Sequence, residues 1–374
     1  MSESVAEYHI TTSDAPADRD WRAQAVSERC AYVEHWPGAT PPPLDTVQRR
    51  MSSGNPPRGS VFFAAFGPSD GILGSARLGM HPAEAKRALL GIYVLPEVRG
   101  QGIGNDLLKS AISVARERHV EVFEVKSASC APAGEPFVSA CGGQLTNSTH
   151  VLEITDRDFR QRSQRWHDGQ GMITDTADLG GMGLVSFGVV DGPFPQHHIP
   201  EIWRLKRTIA VMYGRSPQPP SSNQAIKECR VYEEWLNRVG IERLVVLAAA
   251  SSRSLIGFVE AIWDPSEPDV LRTNGICVSD PYRGSGLASA LAAQLVRVLD
   301  LKPSVTSLRT TLLPSSSRAA SGGWTLHHVE NTWDVPVSRA DRYLVERTLE
   351  RRPRASAVAR RDLAGRTVRQ EQVL

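Results

Sequence analysis

Gly91-Ile92-Tyr93-Val94-Leu95-Pro96-Glu97-Val98-Arg99-Gly100-Gln101-Gly102-Ile103-Gly104 has a second copy from residue 275: Gly275-Ile276-Cys277-Val278-Ser279-Asp280-Pro281-Tyr282-Arg283-Gly284-Ser285-Gly286-Leu287-Ala288. Each copy reads as an apolar strand ending in valine, a four-residue turn, and then Arg-Gly-x-Gly-x-Gly/Ala opening an amphipathic helix. Two copies in one chain of 374 residues predict two related domains.

The turn chemistry says what such a segment can hold. A helix start leaves its first amides unpaired and carries partial positive charge. Glycines around those amides let phosphate oxygens approach without meeting a Cβ, and Arg99 and Arg283 at the loop mouths add a charged donor. The pattern is not a Walker A loop, because no Gly-Lys-Ser/Thr follows at the required spacing. Gly100, Gly102 and Gly104 are spaced G-x-G-x-G, which also excludes the G-x-G-x-x-G dinucleotide fingerprint.

Outward from the loops, the same order of elements is read twice. In the first half Asp14 is placed to cap a helix from Pro16, with Trp21, Ala25, Val26 and Tyr32 on its apolar face. Residues 61–66 and 72–80 read as a hairpin turning through Pro68-Ser69-Asp70-Gly71. Strands follow at 88–94 and 120–125 with a helix at 103–118 between them, then a short helix at 135–140 and a strand at 151–154. The second half repeats this with a strand at 183–190, helices at 200–212 and 223–239, and a hairpin of 244–250 with 255–263. A strand at 270–278, a helix at 287–299 and strands at 305–312 and 324–333 complete it. This predicts an α/β (α+β) chain of two tandem domains, 1–158 and 183–336, each a mixed, mostly antiparallel sheet flanked by helices. Residues 159–182 read as a linker, and 337–374 as a terminal helix, begun by Ser338 and Asp341, with an Arg-rich solvated tail.

Composition bounds the function. Apolar residues make up 41% and charged residues 22%, ordinary for a globular protein. A net charge of +2 implies no nucleic-acid surface, and no apolar run is long enough for a membrane span. The five cysteines are scattered without metal spacing and read as reduced thiols. With the polar Met1-Ser2-Glu3-Ser4 start, unlike a secretory signal, this points to a cytoplasmic protein.

Both loops match the Arg-x-x-Gly-x-Gly/Ala pattern of the GCN5-related N-acetyltransferase (GNAT) superfamily, and the chain resembles that family in both halves. The tandem order is similar to that of actinobacterial two-domain members, mycothiol synthase among them. The resemblance implies two adjacent parallel strands that splay apart, with acetyl-CoA or another acyl-CoA as co-substrate in the wedge and no metal. It implies CoA contacts at Ile92, Val94, Arg99, Gly100, Gln101, Gly102, Ile103 and Gly104. In the second half they would be Ile276, Val278, Arg283, Gly284, Ser285, Gly286, Leu287 and Ala288. The backbone amide of Val94 or Val278 would polarise the thioester carbonyl. The implied reaction is direct attack by a primary amine of a small molecule; a non-catalytic CoA-binding scaffold, or a longer-chain acyltransferase for a natural-product amine, are the alternatives.

Two family features are missing. No tyrosine occupies the helix after the next strand, where the first half offers Glu135 and Phe137, and the second half has only serines and Arg318 over 314–321. No glutamate lies on the strand before either loop. Glu260, on the strand 255–263, is the catalytic candidate for a base, weighed against a solvated strand face. His197-His198 and His327-His328 read as structural, because neighbours on a strand point to opposite faces. Trp203, Trp235, Trp263, Trp324 and Trp333 read as the second core. The partner is a small-molecule amine, and a monomer or a homodimer are both open.

Overall fold

The computed structural model describes residues 7–53, 59–81, 84–155, 176–178, 184–212, 221–250, 254–299, 304–312 and 324–351. In the first half the elements are β1 (His9–Ser13), α1 (Asp18–His35), α2 (Leu44–Ser53), β2 (Val61–Phe66), β3 (Ile72–Met80) and β4 (Arg87–Val94). They continue with α3 (Ile103–Glu117), β5 (Val122–Ala128), α4 (Gly134–Ala140) and β6 (Gln144–Thr155). The second half comprises β7 (Thr176–Asp178), β8 (Leu184–Asp191), α5 (Ile199–Met212), α6 (Ser222–Val239), β9 (Glu242–Ala250) and β10 (Leu255–Trp263). After these come β11 (Val270–Val278), α7 (Leu287–Leu299), β12 (Ser307–Leu312), β13 (Thr325–Pro336) and α8 (Val337–Arg351).

Among the described residues, thirteen strands join one sheet in the order β1-β2-β3-β4-β5-β13-β6-β12-β11-β10-β9-β8-β7. Of these described strands, β4/β5 and β11/β12 pair in parallel and the other neighbours antiparallel. The centre of the order is an exchange. β13, from the second half, lies between β5 and β6, while β6, from the first half, pairs with β12. Each half therefore completes the other's sheet. Arg87 on β4 forks Asp334 on β13 at 2.8 and 2.6 Å, and Trp333 donates its indole N–H to the buried Ser127 hydroxyl at 2.8 Å. Trp333 thus packs in the first core, not the second.

The first core lies between the sheet and α3, whose stripe Leu107, Leu108, Ala111, Ile112 and Ala115 is buried against Phe63, Leu78 and Phe123. Phe62 and Phe66 point to the other face, toward α1, where Trp21 meets Phe62 edge-on. Each buried phenylalanine contributes about 2–3 kcal/mol relative to exposure. The second half repeats this with α7 on one face and α5 with α6 on the other.

Several boundaries differ from the sequence reading. Helix α1 starts at Asp18, with Ala17 as its cap residue and Asp20 accepting the Ala17 amide, so Asp14 caps nothing. Strand β13 runs directly into α8, leaving Ser338 inside the helix, and Asp341 pairs with Arg116 instead. Thr176–Asp178, within the expected linker, adds an edge strand beside β8. The rest of that linker, the 314–321 segment and the tail from Arg354 lie outside the described residues. Among the described residues, no helix is long and apolar enough to cross a membrane.

Candidate active site

The two loops have one conformation. Gly100 and Gly102 take φ of +80° and +99°, and Gly284 and Gly286 take +82° and +88°, a region that side-chain-bearing residues rarely adopt. In each half the chain then enters its helix with the first amides turned toward the loop. The wedge is also present. β4 pairs with β5 only from Arg87/Val122 to Leu90/Val125, after which Gly91–Val94 diverges from it. On its other side β4 is held against β3 through Val94, where Gly74 allows the close approach: a Cβ there would stand 2.6 Å from the Tyr93 carbonyl oxygen. Gly257 serves β11 in the same way, 2.9 Å from the Cys277 carbonyl oxygen.

In the first half the wedge opens into a cleft of about 610 Å³. Ile92, Val94, Arg99, Gly100, Gly102, Ile103 and Gly104 line it, so the first loop and its strand meet at one cavity. The remaining walls come from β5, from α4 through Phe137, from the end of α1 through Glu34 and His35, and from the second half through Glu330, Tyr343 and Arg347. Arg99 is fastened within this wall. It donates to both Glu34 oxygens and, through Nε, to the Val94 carbonyl at 3.0 Å. Burial disfavours the Glu34 charge, yet the hydrogen bonds from Arg99 and Tyr93 outweigh it and hold the carboxyl below its usual range.

The second loop is closed on itself. Ser285 donates its hydroxyl to the Tyr282 carbonyl at 2.6 Å and accepts the Leu287 amide at 3.3 Å, while Arg283 pairs with Asp280 at 2.9 Å. Its strand β11 carries an extra residue opposite Glu260, and Thr273 bonds Thr310 across the parallel pair at 2.6 Å. Glu260 does lie on the face opposite Val259 and Ala261, but that face is covered by α5 and α6. It is 2% exposed, accepts from Lys206 at 2.8 Å and lies 3.9 Å from Arg243. It lines a separate cavity of about 320 Å³ with Phe194, Trp203, Tyr232, Phe258 and Cys277.

Three features escaped the sequence reading. Tyr343, on α8, stands edge-on to Phe137 at 6.3 Å and donates to Asn105 at 3.4 Å, so a tyrosine reaches this wall from the far end of the chain. Glu34 and His35 close the cleft from the last turn of α1, a position no motif marks. The His327-His328 pair does converge, with Nδ1 atoms 2.9 Å apart, because β13 shifts register between Leu326 and His328 and breaks strand alternation. His197-His198 sits in a 3-10 turn, its rings 4.1 Å apart.

The model of the acetyltransferase (GNAT) family matches residues 25–136 and 210–313, more than half of the chain and one stretch in each half. The chain belongs to the GNAT family. The fold of this GNAT protein is similar to that of a tandem GNAT protein from the clavulanic acid biosynthesis pathway. That likeness has a TM-score of 0.71 at 17% identity, covering 88% of this chain and 99% of that one. A GCN5-related N-acetyltransferase from Sphaerobacter thermophilus follows at 0.59 and 13% identity, over 88% of this chain and 96% of that one. A glucosamine N-acetyltransferase region in a fungal multi-domain GH3 β-N-acetylglucosaminidase gives 0.57 at 14% identity, over 89% and 39%. At such identities these likenesses concern the fold alone. No curated protein matches the sequence. The family makes this GNAT protein an enzyme of acyl-CoA-dependent N-acyl transfer.

Proposed function

We propose that this enzyme transfers the acetyl group of acetyl-CoA to a primary amine of a small molecule, and that the first half does the chemistry. The observation that carries this reading is the cleft of about 610 Å³, where the splayed end of β4, the open glycine loop and the acidic end of α1 meet. The pyrophosphate would lie on the amides opening α3, the pantetheine in the wedge, and the thioester carbonyl at the Val94 amide. Holding amine and thioester together supplies several kcal/mol through orientation alone. The second loop, tied down by Ser285 and Asp280, is offered as a second, non-reacting CoA site. Glu260, spent on Lys206, takes no part in acyl transfer on this reading. The tandem arrangement alone supports grouping the chain with actinobacterial proteins such as mycothiol synthase, and that enzyme's acceptor is not carried over.

Native mass spectrometry with acetyl-CoA, and CoA release across a panel of polyamines, amino sugars and amino acids, test the proposal. Two bound acetyl-CoA molecules falling to one in Gly104→Val, together with amine-dependent CoA release that this variant loses, is the expected result. Phe137 in place of the family tyrosine favours one second reading, a CoA-binding scaffold. Binding without CoA release for any amine would establish it instead.

A further inference from the structure

Where the end of α1 meets β13, four titratable side chains from these two elements come together. His35, in the last turn of α1, and Glu330, on the exchanged strand β13, both line the cleft. Behind them His328 is 4% exposed, with its ring centroid 5.6 Å from that of His35 and its Nε2 3.9 Å from Glu330 Oε1. His327 Nδ1 lies 2.9 Å from His328 Nδ1, and Trp36 packs against His327 in a tilted pair with ring centroids 4.0 Å apart. Among the described residues, the buried His328 Nε2 has no hydrogen-bond partner. The geometry points to His35 as the general base of acyl transfer in the first half and to Glu330 as the carboxylate that holds the acceptor's ammonium beside it. This rests on the first half being the reacting one.

The chemistry of the cluster fits those roles. Burial and the neighbouring His328 lower the His35 pKa, so its imidazole is neutral at pH 7 and free to take a proton. The His328 imidazole beside Glu330 holds that carboxyl below its usual range, so it stays an anion in the wall. Among the described residues, Glu34, beside His35 on α1, and Lys126 on β5 act on the pair, the Cys130 thiol lies near Glu330, and Arg99 and Arg347 also line the cleft. Glu34 is already bound by Arg99 and Tyr93, which leaves the imidazole as the basic group on the α1 wall. In the reaction the bound ammonium passes one proton to His35. The freed amine attacks the thioester carbon, the C–N bond forms and the C–S bond breaks. The nitrogen's second proton leaves with the thiolate as the CoA thiol, and His35 returns its proton to solvent. Neither half alone has both groups, so the exchanged strand gives the active site a residue as well as an edge.

The test uses the full chain and the panel amine that gives the fastest CoA release, with hydroxylamine as a second acceptor. Hydroxylamine is already neutral near pH 7 and needs no base. His35→Gln is expected to lower kcat for the amine about 100-fold and to move the acid limb of its pH–rate profile up toward the amine's own ionisation, while hydroxylamine turnover changes little. Glu330→Gln should raise KM for the amine about tenfold with a smaller change in kcat. Acetyl-CoA affinity within about twofold of wild type certifies the fold of each variant. Folded His35→Gln with an unchanged pH profile, or an equal loss with both acceptors, overturns the assignment. No CoA release from the wild-type protein with any acceptor overturns the first-half acetyltransferase reading instead.

Discussion

Glu34 on α1 receives both terminal nitrogens of Arg99, at 2.7 and 2.8 Å, so the arginine of the first loop is fastened to a helix rather than held out to solvent. Tyr93, from the splayed end of β4, donates to the same carboxylate at 2.8 Å. One acidic side chain therefore ties together α1, the strand that makes the wedge and the loop that opens α3. The loop glycines need not be rigid on their own account, because the arginine between them and the strand is clamped.

That clamp has a signed pH dependence. The Glu34 carboxyl titrates below its usual range in the folded chain, so its stabilisation is present above the unfolded value and is lost as pH falls through the folded one. Glu34→Gln should cost about 1–2 kcal/mol at pH 7, allowing for the partial exposure of the pair. Urea denaturation as a function of pH should show the gap between variant and wild type closing below about pH 4. A gap that stays constant from pH 7 down to the onset of acid unfolding would remove the ion pair as its cause.

Gly74→Ala tests the wedge itself. The new Cβ would meet backbone, the Tyr93 carbonyl oxygen at 2.6 Å, and backbone cannot swing aside as a side chain can. A loss of about 1–3 kcal/mol is expected from such overpacking. Because Val94 pairs with Gly74, displacement of β4 should also weaken acetyl-CoA binding about tenfold, an effect of about 1.4 kcal/mol. Calorimetric titration that returns wild-type affinity would show the end of β4 to be irrelevant to the ligand.

What the sequence carried was local. Strands β10 and β11 and helix α7 occupy the residues their patterns predict, since apolar alternation and helical stripes are properties of neighbours along the chain. Partner choice is not local, and the exchange of β6 and β13 left no mark in either strand. Gln144–His150 is polar but for Leu145, with three of its seven residues exposed, so only the apolar end of β6 could be read as strand. The short β1, His-Ile-Thr-Thr-Ser, was likewise too polar to be seen. The same non-locality hid the cleft's acidic and basic walls. Glu34, His35 and Glu330 are unremarkable in sequence, and they meet only because α1 ends where the exchanged strand enters.

The cysteines give an independent check on the two cores. Burial pushes the thiols of Cys141 and Cys277 up to about 12, so both are protonated at pH 8. Iodoacetamide at pH 8 should therefore leave these two unmodified in the native protein, and peptide mass spectrometry after unfolding should find them labelled. Native labelling of Cys277 would mean that α5 and α6 open away from β11 and that the cavity beside Glu260 is accessible.

Glu260 is predicted to act on stability. Its carboxylate is buried and accepts from Lys206, so Glu260→Ala leaves that ammonium without its partner and Arg243 without a nearby anion on that side. Breaking a buried pair costs about 3–5 kcal/mol, here toward the lower end because Lys206 is partly exposed. Urea denaturation measures it, and a loss under about 0.5 kcal/mol would show the pair to be energetically idle.

The exchange of strands makes the halves interdependent in a way that a cut can reveal. β13 fills the place between β5 and β6, and without it both would present bare edges, which readily recruit other chains. The Arg87–Asp334 fork and the buried Trp333–Ser127 hydrogen bond hold it there. A protease site engineered between residues 156 and 175 should therefore yield two fragments that co-elute in gel filtration at micromolar concentration, with acetyl-CoA affinity within about twofold of the intact chain. Strand pairing, not the connecting segment, would then be what joins the halves. Fragments that elute apart as folded species would mean that each half can close its own sheet, and the exchanged strand would lose its claim on the active site.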